Sequence, residues 1–600
     1  MMFRITFLLV LFVSAAGTVL SGGKKALDTR PDAVDIEGVG SYPRAGSGEI
    51  PLTNPTGLTW IAVDTMGNAF GPASRGVKPI AYDSATGIVG IVYRGATTYA
   101  AGTGELWYSI SHGGTSWRRV GPLNSGTPNL LRYPSGAISN PTNSSDTSNV
   151  LFLFAAPLLL PSATAFGFMA YGVDFPIGTG VGVGFVVDPD SNFWSNAQLW
   201  TTHGGPEINW AAYRYVTTTA LPANLWRTHT TDFINITEGV PPTWEASAFN
   251  TSFGLEIGGQ ERNGIHYVGK WGPFNGDPNW QVIDNVGYSV SSDGGITWGP
   301  WTRPQPDWRT ASGIGGYDFW TYGGPGAYSK EMLVDMNGRV HFFAVTFDTL
   351  TLERQVVEIY ETGSGWGSHF ITTDLKETTR LNYPGTAGNL NQMGNHLNGA
   401  ISQAGDVMTL MWLDGGVQGD TLTDIWLSYR RISDPSWSTP VNLTQTPDFA
   451  ELLLHAAPTL RHNGGDNYSV FLGRAYESGV TTYPPESGNR TVFYFATHTF
   501  DATTGVADGK GLPGKYTLSQ NYPNPFNPST RIGYTIPRGT NVKLSIYNVL
   551  GQEVAQLVDE YKDAGAHEAT FSAASIPSGV YFYTLKAGDF LKTRKMMVLK

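Results

Sequence analysis

Two short segments of this 600-residue chain carry side chains of the types that perform acid–base chemistry. In one of them Glu261, Arg262 and His266 bring a carboxylate, a guanidinium and an imidazole close together in the sequence. Carboxylates and imidazoles can move protons, and a guanidinium can hold an anionic group. A Glu/Arg pair that caps a turn is the more common role. Glu261 and Arg262 are therefore candidates for catalysis, and His266 is a candidate for ligand binding.

The second segment is a glycine-flanked aromatic cluster that contains one carboxylate. Asp318 is its candidate acid or base, and Trp320 and Tyr322 are candidate stacking partners for a sugar ring. Aromatic packing within a loop is the more common role of such residues. The chain has no His-Glu-x-x-His zinc motif, no phosphate-binding Gly-Lys-Ser/Thr loop and no Gly-x-Ser-x-Gly motif.

A calcium site is conceivable at residues 188–192, where Asp188, Asp190 and Asn192 offer oxygen ligands. The segment lacks the glycine and the distal glutamate of an EF-hand loop, so a plain Asx turn is favoured. We predict no cofactor and assign no metal ligands. Binding of Ca²⁺ stays an open alternative, since no specific motif supports it.

The N-terminus has the pattern of a secretory signal peptide, assigned to residues 1–22. Arg4 precedes an apolar run from Ile5 to Val13, and the small residues 14–17 follow. This run is about half of the ~20 residues that a bilayer span needs. An N-terminal extension is assigned to residues 23–56. The chain contains no cysteine, so its stability outside the cell must come from core burial rather than disulfides.

Composition points to an all-β protein of more than one domain. The chain has 74 glycines, 12% aromatic residues and only 14% charged residues, a pattern that suits short strands between tight turns. Its formal net charge is −11. Residues 511–600 contain 10 Lys+Arg and 6 Asp+Glu, which gives them +4 and leaves −15 for the rest. The acidic part argues against a nucleic-acid partner.

Hairpin patterns recur along residues 57–501. Each pairs two apolar strands across an Asn/Gly/Asp turn, and many units have a tryptophan further on. Weaker units begin near Glu207 and Leu255, and the strand from Gly57 to Val63 could close a ring beside the last unit. About seven units of roughly 60 residues predict a seven-bladed β-propeller, with six blades or a pair of β-sandwiches as alternatives. The clearest hairpins lie at 80–93, 137–154, 333–345, 400–412 and 459–472.

One turn inside these units has the form Ser-x-Asp-x-Gly-x-Thr-Trp. Its spacing lets the carboxylate accept backbone N–H bonds across the turn while the tryptophan packs beneath it. Shorter versions occur at residues 111–117 and 433–437. The motif resembles the Asp-box, or BNR repeat, of the sialidase-like propellers, where it is structural. Its residues here are Ser291, Asp293, Gly295, Thr297 and Trp298.

Enzymes of the sialidase family use an arginine cluster, a tyrosine nucleophile paired with a glutamate, and an acidic acid/base residue. The first arginine lies in a Phe/Tyr-Arg-Ile-Pro-like motif. The nearest segments here, 42–44 and 74–79, do not match it. No catalytic residue can be carried over, so catalysis is uncertain and we lean against it.

Residues 516–600 follow a Gly-rich linker at 502–515 and contain six strand patterns, which predict a small Ig-like antiparallel sandwich. Their motif series resembles the type IX secretion system type A sorting domain of Bacteroidota. That resemblance implies passage through the periplasm, handling by the secretion machinery, and a place outside the cell or on the outer-membrane surface. The residues that carry it are Tyr522, Pro523, Asn524, Pro525, Phe526, Asn527, Pro528, Gly551, Gly579, Tyr581 and Lys595.

The sequence thus predicts an exported cargo protein whose propeller binds a glycan or a protein. The alternative is an exo-acting glycoside hydrolase or lyase with a divergent site. Two carboxylates about 5–10 Å apart in the central pocket would favour hydrolysis. A polar or aromatic surface without such a pair would favour binding.

Overall fold

The computed structural model describes residues 53–599 apart from a set of internal segments, which are given at the end of this paragraph. Among these residues the chain is all-β, with one short α-helix, α1 (Trp308–Ala311), and one 3-10 turn at Thr147–Asn149. The helices of the described residues are too short to cross a bilayer. The segments outside the description are 67–76, 96–104, 125–129, 132–133, 160–165, 181–183, 188–197, 215–223, 232–236, 239–255, 273, 275–284, 315–316, 320–329, 350–353, 373–374, 376–394, 416–422, 447–453, 478–490, 504–515, 537–539, 563–564 and 589.

Six sheets make up the larger part of the described chain. We divide their strands into seven successive antiparallel groups, numbered first to seventh, because the nine-stranded sheet joins the sixth and seventh groups only through a short parallel pairing of β23 with β28. The first three groups are β2 (Ile80–Asp83), β3 (Ile88–Gly95), β4 (Glu105–His112) and β5 (Arg118–Val120); β6 (Leu130–Leu131), β7 (Ser135–Ser139), β8 (Leu151–Leu159), β9 (Phe166–Asp174) and β10 (Gly184–Val187); and β11 (Gln198–Thr201), β12 (Ile208–Arg214), β13 (Asn224–Thr230) and β14 (Thr237–Glu238).

The fourth to seventh groups follow the same plan. They are β15 (Glu256–Arg262), β16 (Ile265–Gly272) and β17 (Asn285–Ser291); β18 (Tyr317–Phe319), β19 (Lys330–Val334), β20 (Val340–Asp348), β21 (Arg354–Glu361) and β22 (Trp366–Thr372); β23 (Asn398–Ser402), β24 (Val407–Gly415), β25 (Thr423–Arg431) and β26 (Val441–Asn442); and β27 (His455–Ala456), β28 (Thr459–Gly464), β29 (Asn467–Glu477) and β30 (Thr491–Asp501).

The strand groups close on themselves. β1 (Ile61–Met66) pairs antiparallel with β30, so the earliest described strand joins the last group. The leading strands β2, β7, β11, β15, β19, β23 and β28 contact one another in that order, and β28 contacts β2. These seven strands therefore surround a common channel. The closing role predicted for residues 57–63 is confirmed, although the strand itself begins at Ile61.

The five clear hairpins predicted from sequence are confirmed as β2–β3, β7–β8, β19–β20, β23–β24 and β28–β29. One weaker prediction is wrong. Glu207 does not begin a unit, because it lies in the turn between β11 and β12, and the third group starts at Gln198.

Neighbouring groups are held together by apolar side chains from their facing sheets. Ile88, Tyr108 and Phe152 share one cluster between the first and second groups. Such clusters provide most of the driving force, since each large apolar side chain contributes about 1.5–3 kcal/mol on burial. Gly90 shows how closely the sheets approach, because a Cβ there would lie 2.6 Å from the Phe152 ring.

The C-terminal unit consists of two antiparallel sheets with the orders β31-β32-β35 and β34-β33-β36-β37. Exposed and buried residues alternate along β32, as expected for a strand with one face on a core. Ile532, Leu544 and Tyr583 lie in the shared apolar core. The strands are β31 (Thr517–Leu518), β32 (Ser529–Ile536), β33 (Thr540–Tyr547), β34 (Glu553–Lys562), β35 (Gly565–Ser572), β36 (Gly579–Ala587) and β37 (Phe590–Val598).

Candidate functional site

The channel between the leading strands holds a mainly polar cavity of about 150 Å³. All seven groups contribute to its wall, so the cavity exists only when the ring is assembled. The side chains that line it include Lys78, Asp83, Asn140, Gln198, Gln260, Glu261, Arg262, Glu331, Ser402 and Gln403.

A partly buried ion pair crosses the channel at the end where the leading strands begin. Lys78 precedes β2 of the first group and its Nζ contacts Glu331 Oε2 on β19 of the fifth group. The same carboxylate accepts hydrogen bonds from the backbone N–H groups of Gly399 (2.9 Å) and Met332 (3.1 Å). The sixth and seventh groups separate the fifth from the first along the ring, so the lysine side chain must reach across the axis. This pair narrows the channel at its strand-start end.

The opposite end of the channel opens into a wider cavity, which we call the hairpin-side mouth. Its volume is about 690 Å³, and it shares residues such as Glu261 and Gln403 with the channel. The turns that follow β11, β15, β23 and β28 form its wall. Its lining residues are His203, Glu261, Arg262, Asn263, Gly264, Ser402, Gln403, Ala404, Asp406, His462 and Tyr468.

The structure places Glu261 and Arg262 at this mouth, in roles that brace the turns. Glu261 accepts hydrogen bonds from the backbone N–H of Gly264 (2.6 Å) and of His203 (3.2 Å). Arg262 is buried and donates to the carbonyls of Val334 and Gln403, which belong to the fifth and sixth groups. Burial lowers the pKa of the guanidinium. Arg262 therefore connects three neighbouring groups.

The other candidates do not meet at this site. His266 is buried, and its ring nitrogens lie 3.1 Å from Trp200 Nε1 and 3.1 Å from Thr202 Oγ1, outside the lining of both cavities. Asp318 lies on β18 opposite Phe347. Trp320, Tyr322 and the segment 188–192 lie outside the described residues. No cluster of three or more His, Cys, Asp or Glu side chains suited to a metal ion occurs among the described residues.

The Ser-x-Asp-x-Gly-x-Thr-Trp turn follows β17 at the periphery of the fourth group. Asp293 accepts hydrogen bonds from the backbone N–H of Thr297 (2.8 Å) and from Ser291 Oγ (2.7 Å). Burial alone would raise the pKa of Asp293, but these bonds outweigh it and lower the pKa to about 2. Trp298 is buried and donates to the Gly295 carbonyl (2.8 Å). Gly295 has φ +101°, and a Cβ there would lie 1.8 Å from Asn209.

A buried charge network between the fifth and sixth groups was not predicted from the sequence. Glu358 on β21 accepts hydrogen bonds from Arg430 (2.7 Å) and from Trp437 Nε1 (2.8 Å). Its carboxylate also lies 2.7 Å from His341 Nδ1 and 2.6 Å from His369 Nδ1. Burial alone would raise the pKa of Glu358, yet the two histidines and the arginine lower it below its usual range. These residues are distant in sequence, and no local pattern marks them.

Buried tyrosines also donate to carboxylates, but away from the channel. Burial and the adjacent carboxylate raise the pKa of each of these phenols, which favours the neutral form over a nucleophilic phenolate. None of them lines the cavity or the hairpin-side mouth. The pairs are Tyr93–Asp64, Tyr108–Asp174 and Tyr288–Glu361.

The proline-rich segment of the C-terminal unit is built into its core. Phe526 is buried, packs 6.0 Å from the Phe571 ring and donates its N–H to the Met597 carbonyl. Tyr522 exchanges backbone hydrogen bonds with Arg531. Gly551 adopts φ +77° in the turn between β33 and β34. The remaining residues of the sequence motif are Pro523, Asn524, Pro525, Asn527, Pro528, Gly579, Tyr581 and Lys595.

Comparison with protein families explains this unit. Residues 520–599 match the family model of the Secretion system C-terminal sorting domain. The sorting domain predicted from the sequence is thereby confirmed, and it implies export to the cell surface or beyond. No curated protein sequence matches the chain.

Solved structures similar to the chain include three glycoside-processing enzymes. The α-L-arabinofuranosidase Arb93A from Fusarium graminearum is 12% identical over 62% of this chain and 98% of its own, with a TM-score of 0.34. The Penicillium chrysogenum α-L-arabinanase is 11% identical over 62% and 93%, with a TM-score of 0.33. The NanB sialidase from Streptococcus pneumoniae is 10% identical over 75% and 71%, with a TM-score of 0.35.

Proposed function

We propose that this protein is a cargo of the type IX secretion system whose larger part is a seven-bladed β-propeller that binds an extracellular glycan. The seven strand groups correspond to the blades. Pairing of β1 with β30 and the ring of leading strands support this assignment. The smaller C-terminal unit has the two-sheet form of an Ig-like sandwich and serves as the export signal.

The observation that supports a binding role is that each carboxylate lining the channel is hydrogen-bonded or ion-paired to donors of the protein. Glu331 is held by Lys78 and two backbone N–H groups. Asp83 accepts hydrogen bonds from Thr86, and Glu261 caps its own turn. Each is held by donors of the protein, which favours a structural role for these carboxylates over that of a free acid or base.

The competing proposal is a glycoside hydrolase or lyase that uses Asp318 or residues outside the description. Incubating the full chain with a panel of fluorogenic glycosides, and separately with a printed glycan array, distinguishes the two. We expect glycan binding without turnover. Turnover that disappears in an Asp318→Ala variant would replace the binding proposal with the enzymatic one.

A further inference from the structure

We propose that the hairpin-side mouth is the glycan-binding site and that it accepts an uncharged sugar residue. This inference rests on the proposed function and adds its location and its ligand class. The mouth has a volume of about 690 Å³, which lies in the range of roughly 300–1,000 Å³ for ligand sites. The channel cavity behind it is about 150 Å³ and is crossed by Lys78 and Glu331. A ligand that enters from the mouth therefore stops there.

The cationic groups near the mouth are already engaged by the protein. The guanidinium of Arg262 donates to the carbonyls of Val334 and Gln403. Arg431 contacts Asp466 and lies 3.5 Å from Asp406. The carboxylate of an anionic sugar would lie near Glu261 and Asp406 with no arginine of the described residues available to bind it. Since like charges repel, such a sugar is disfavoured. A neutral sugar brings hydroxyl donors, which carboxylate oxygens accept.

Acceptors for those hydroxyls are held rigidly. Each oxygen of Glu261 accepts one backbone hydrogen bond, and a carboxylate oxygen has two lone pairs, so each retains acceptor capacity. The turn that carries Glu261 is fixed by Arg262. In the sixth group Asp406, which also lines the mouth, is oriented by Ser402 Oγ (2.6 Å) and by the Tyr468 hydroxyl (3.3 Å).

His462 supplies a planar group at the same mouth. Its ring stacks on Tyr468 with centroids 4.9 Å apart, and its exposed position contrasts with the buried tyrosine. Nε2 lies 2.9 Å from the Gly465 carbonyl, which can only accept, so Nε2 carries the proton. In the neutral ring Nδ1 is then an acceptor. His462 can therefore pack on a sugar ring and accept one of its hydroxyls.

The test measures binding of simple sugars to the full chain by saturation-transfer NMR and titration calorimetry. The probes are the methyl glycosides of glucose, galactose, mannose and N-acetylglucosamine, with N-acetylneuraminic acid as the anionic probe. We expect a neutral probe to bind. Glu261→Gln keeps an oxygen for Gly264 but removes the charge, and we expect it to weaken that binding about tenfold.

His462→Ala should weaken binding similarly, while His462→Phe should retain part of it through stacking. Glu207→Gln is the matched control, because Glu207 lies in an adjacent turn and lines neither cavity. Sugar binding that is unchanged in both Glu261→Gln and His462→Ala overturns the site and leaves the proposed function intact. Preference for N-acetylneuraminic acid overturns the ligand class. Binding of no glycan, on the array or here, overturns the proposed function itself.

Discussion

Trp298 and Trp437 both follow the third strand of a group, β17 in one case and β25 in the other, yet the two indoles are held differently. The Trp298 N–H donates to Gly295, three residues before it in the same turn. The Trp437 N–H donates to Glu358 in the neighbouring group. In the fourth group the acceptor for the indole N–H thus lies within the turn itself, whereas in the sixth group the acceptor lies in the neighbouring group.

The difference follows from the hydrogen bonds that the aspartate of each turn accepts. The complete turn has Asp293, which accepts from Ser291 and Thr297 and fixes the loop above the tryptophan. The shorter turn at 433–437 has Asp434, which among the described residues accepts only a 3.3 Å hydrogen bond from Ser433. Its tryptophan is instead positioned by the buried Glu358, so loss of local bonding is offset by bonding between groups.

The third version of the turn, at residues 111–117, shows which contact of the tryptophan is common to all three turns. Its Trp117 ring packs 4.9 Å from Phe495 of the seventh group. The Trp117 Nε1 atom is buried and has no hydrogen-bond partner among the described residues. Apolar contact between groups is therefore the shared role of the three tryptophans, and the polar bonding varies.

Removing Glu358 should have the largest effect of the changes that test this comparison. Glu358→Ala would leave Arg430 buried without its carboxylate, and breaking a buried pair in this way costs about 3–5 kcal/mol. Urea unfolding of the full chain should show that loss in the transition of the strand groups. The isosteric Glu358→Gln should recover part of it. A loss below about 1 kcal/mol would mean that the network does not couple the two groups.

The turn at 291–298 was predictable from the sequence, whereas the charge network around Glu358 was not. The turn at 291–298 is recognisable because all its partners lie within eight positions. Glu358 belongs to β21, where apolar residues flank it on both sides and no local pattern marks it. Its partners at 341 and 369 lie on the adjacent strands of its own sheet, and the packing of two groups brings residue 430 to it. The Lys78–Glu331 pair escaped detection for the same reason, since 253 positions separate the two residues.

The same distinction explains the one misplaced unit. Strand β11 has only four residues, Gln198–Thr201, and the segment before it carries no hairpin signal. The strong apolar pattern of β12 begins at Ile208, which drew the predicted start to Glu207. Ring packing, in which β11 contacts both β7 and β15, supplies the information that the sequence lacks.

Asp293→Ala should cost less than removal of Glu358, because Asp293 is exposed and its bonds are local. We expect a loss of about 1–2 kcal/mol, similar to loss of a capping side chain. Differential scanning calorimetry of the full chain can measure it. Asp434→Ala, in the shorter turn, is the matched control and should lose less than about 0.5 kcal/mol. Equal losses at the two positions would contradict the self-sufficient character of the complete turn.

Changing each tryptophan to phenylalanine removes the indole N–H and keeps most of the apolar contact. Trp437→Phe and Trp298→Phe should each lose about 1 kcal/mol, the net value of a hydrogen bond, with Trp437→Phe the greater because its acceptor is charged. Trp117→Phe should lose least, since no described group accepts its N–H. Chemical unfolding of the three variants gives this ranking, and a Trp117→Phe loss as large as the others would refute it.

The pH dependence of stability should also distinguish the turn of Asp293 from the network around Glu358, and this is the smallest effect that we expect. Asp293 has a depressed pKa, so its contribution is present above its usual value of 3.8 and is lost as pH falls towards about 2. Because Asp293 is exposed, solvent screening limits this contribution to about 1 kcal/mol.

His341 behaves in the opposite sense. Burial alone would lower its pKa, but the contacts with the Asp335 and Glu358 carboxylates raise the pKa above 6.5. Its contribution is therefore complete below pH 6.5 and declines as pH rises through the raised value. Unfolding measured from pH 6 to 9 should show a decline that is reduced in His341→Asn and unchanged in Asp293→Ala. An identical decline in all three proteins would show that the network between the fifth and sixth groups does not titrate there.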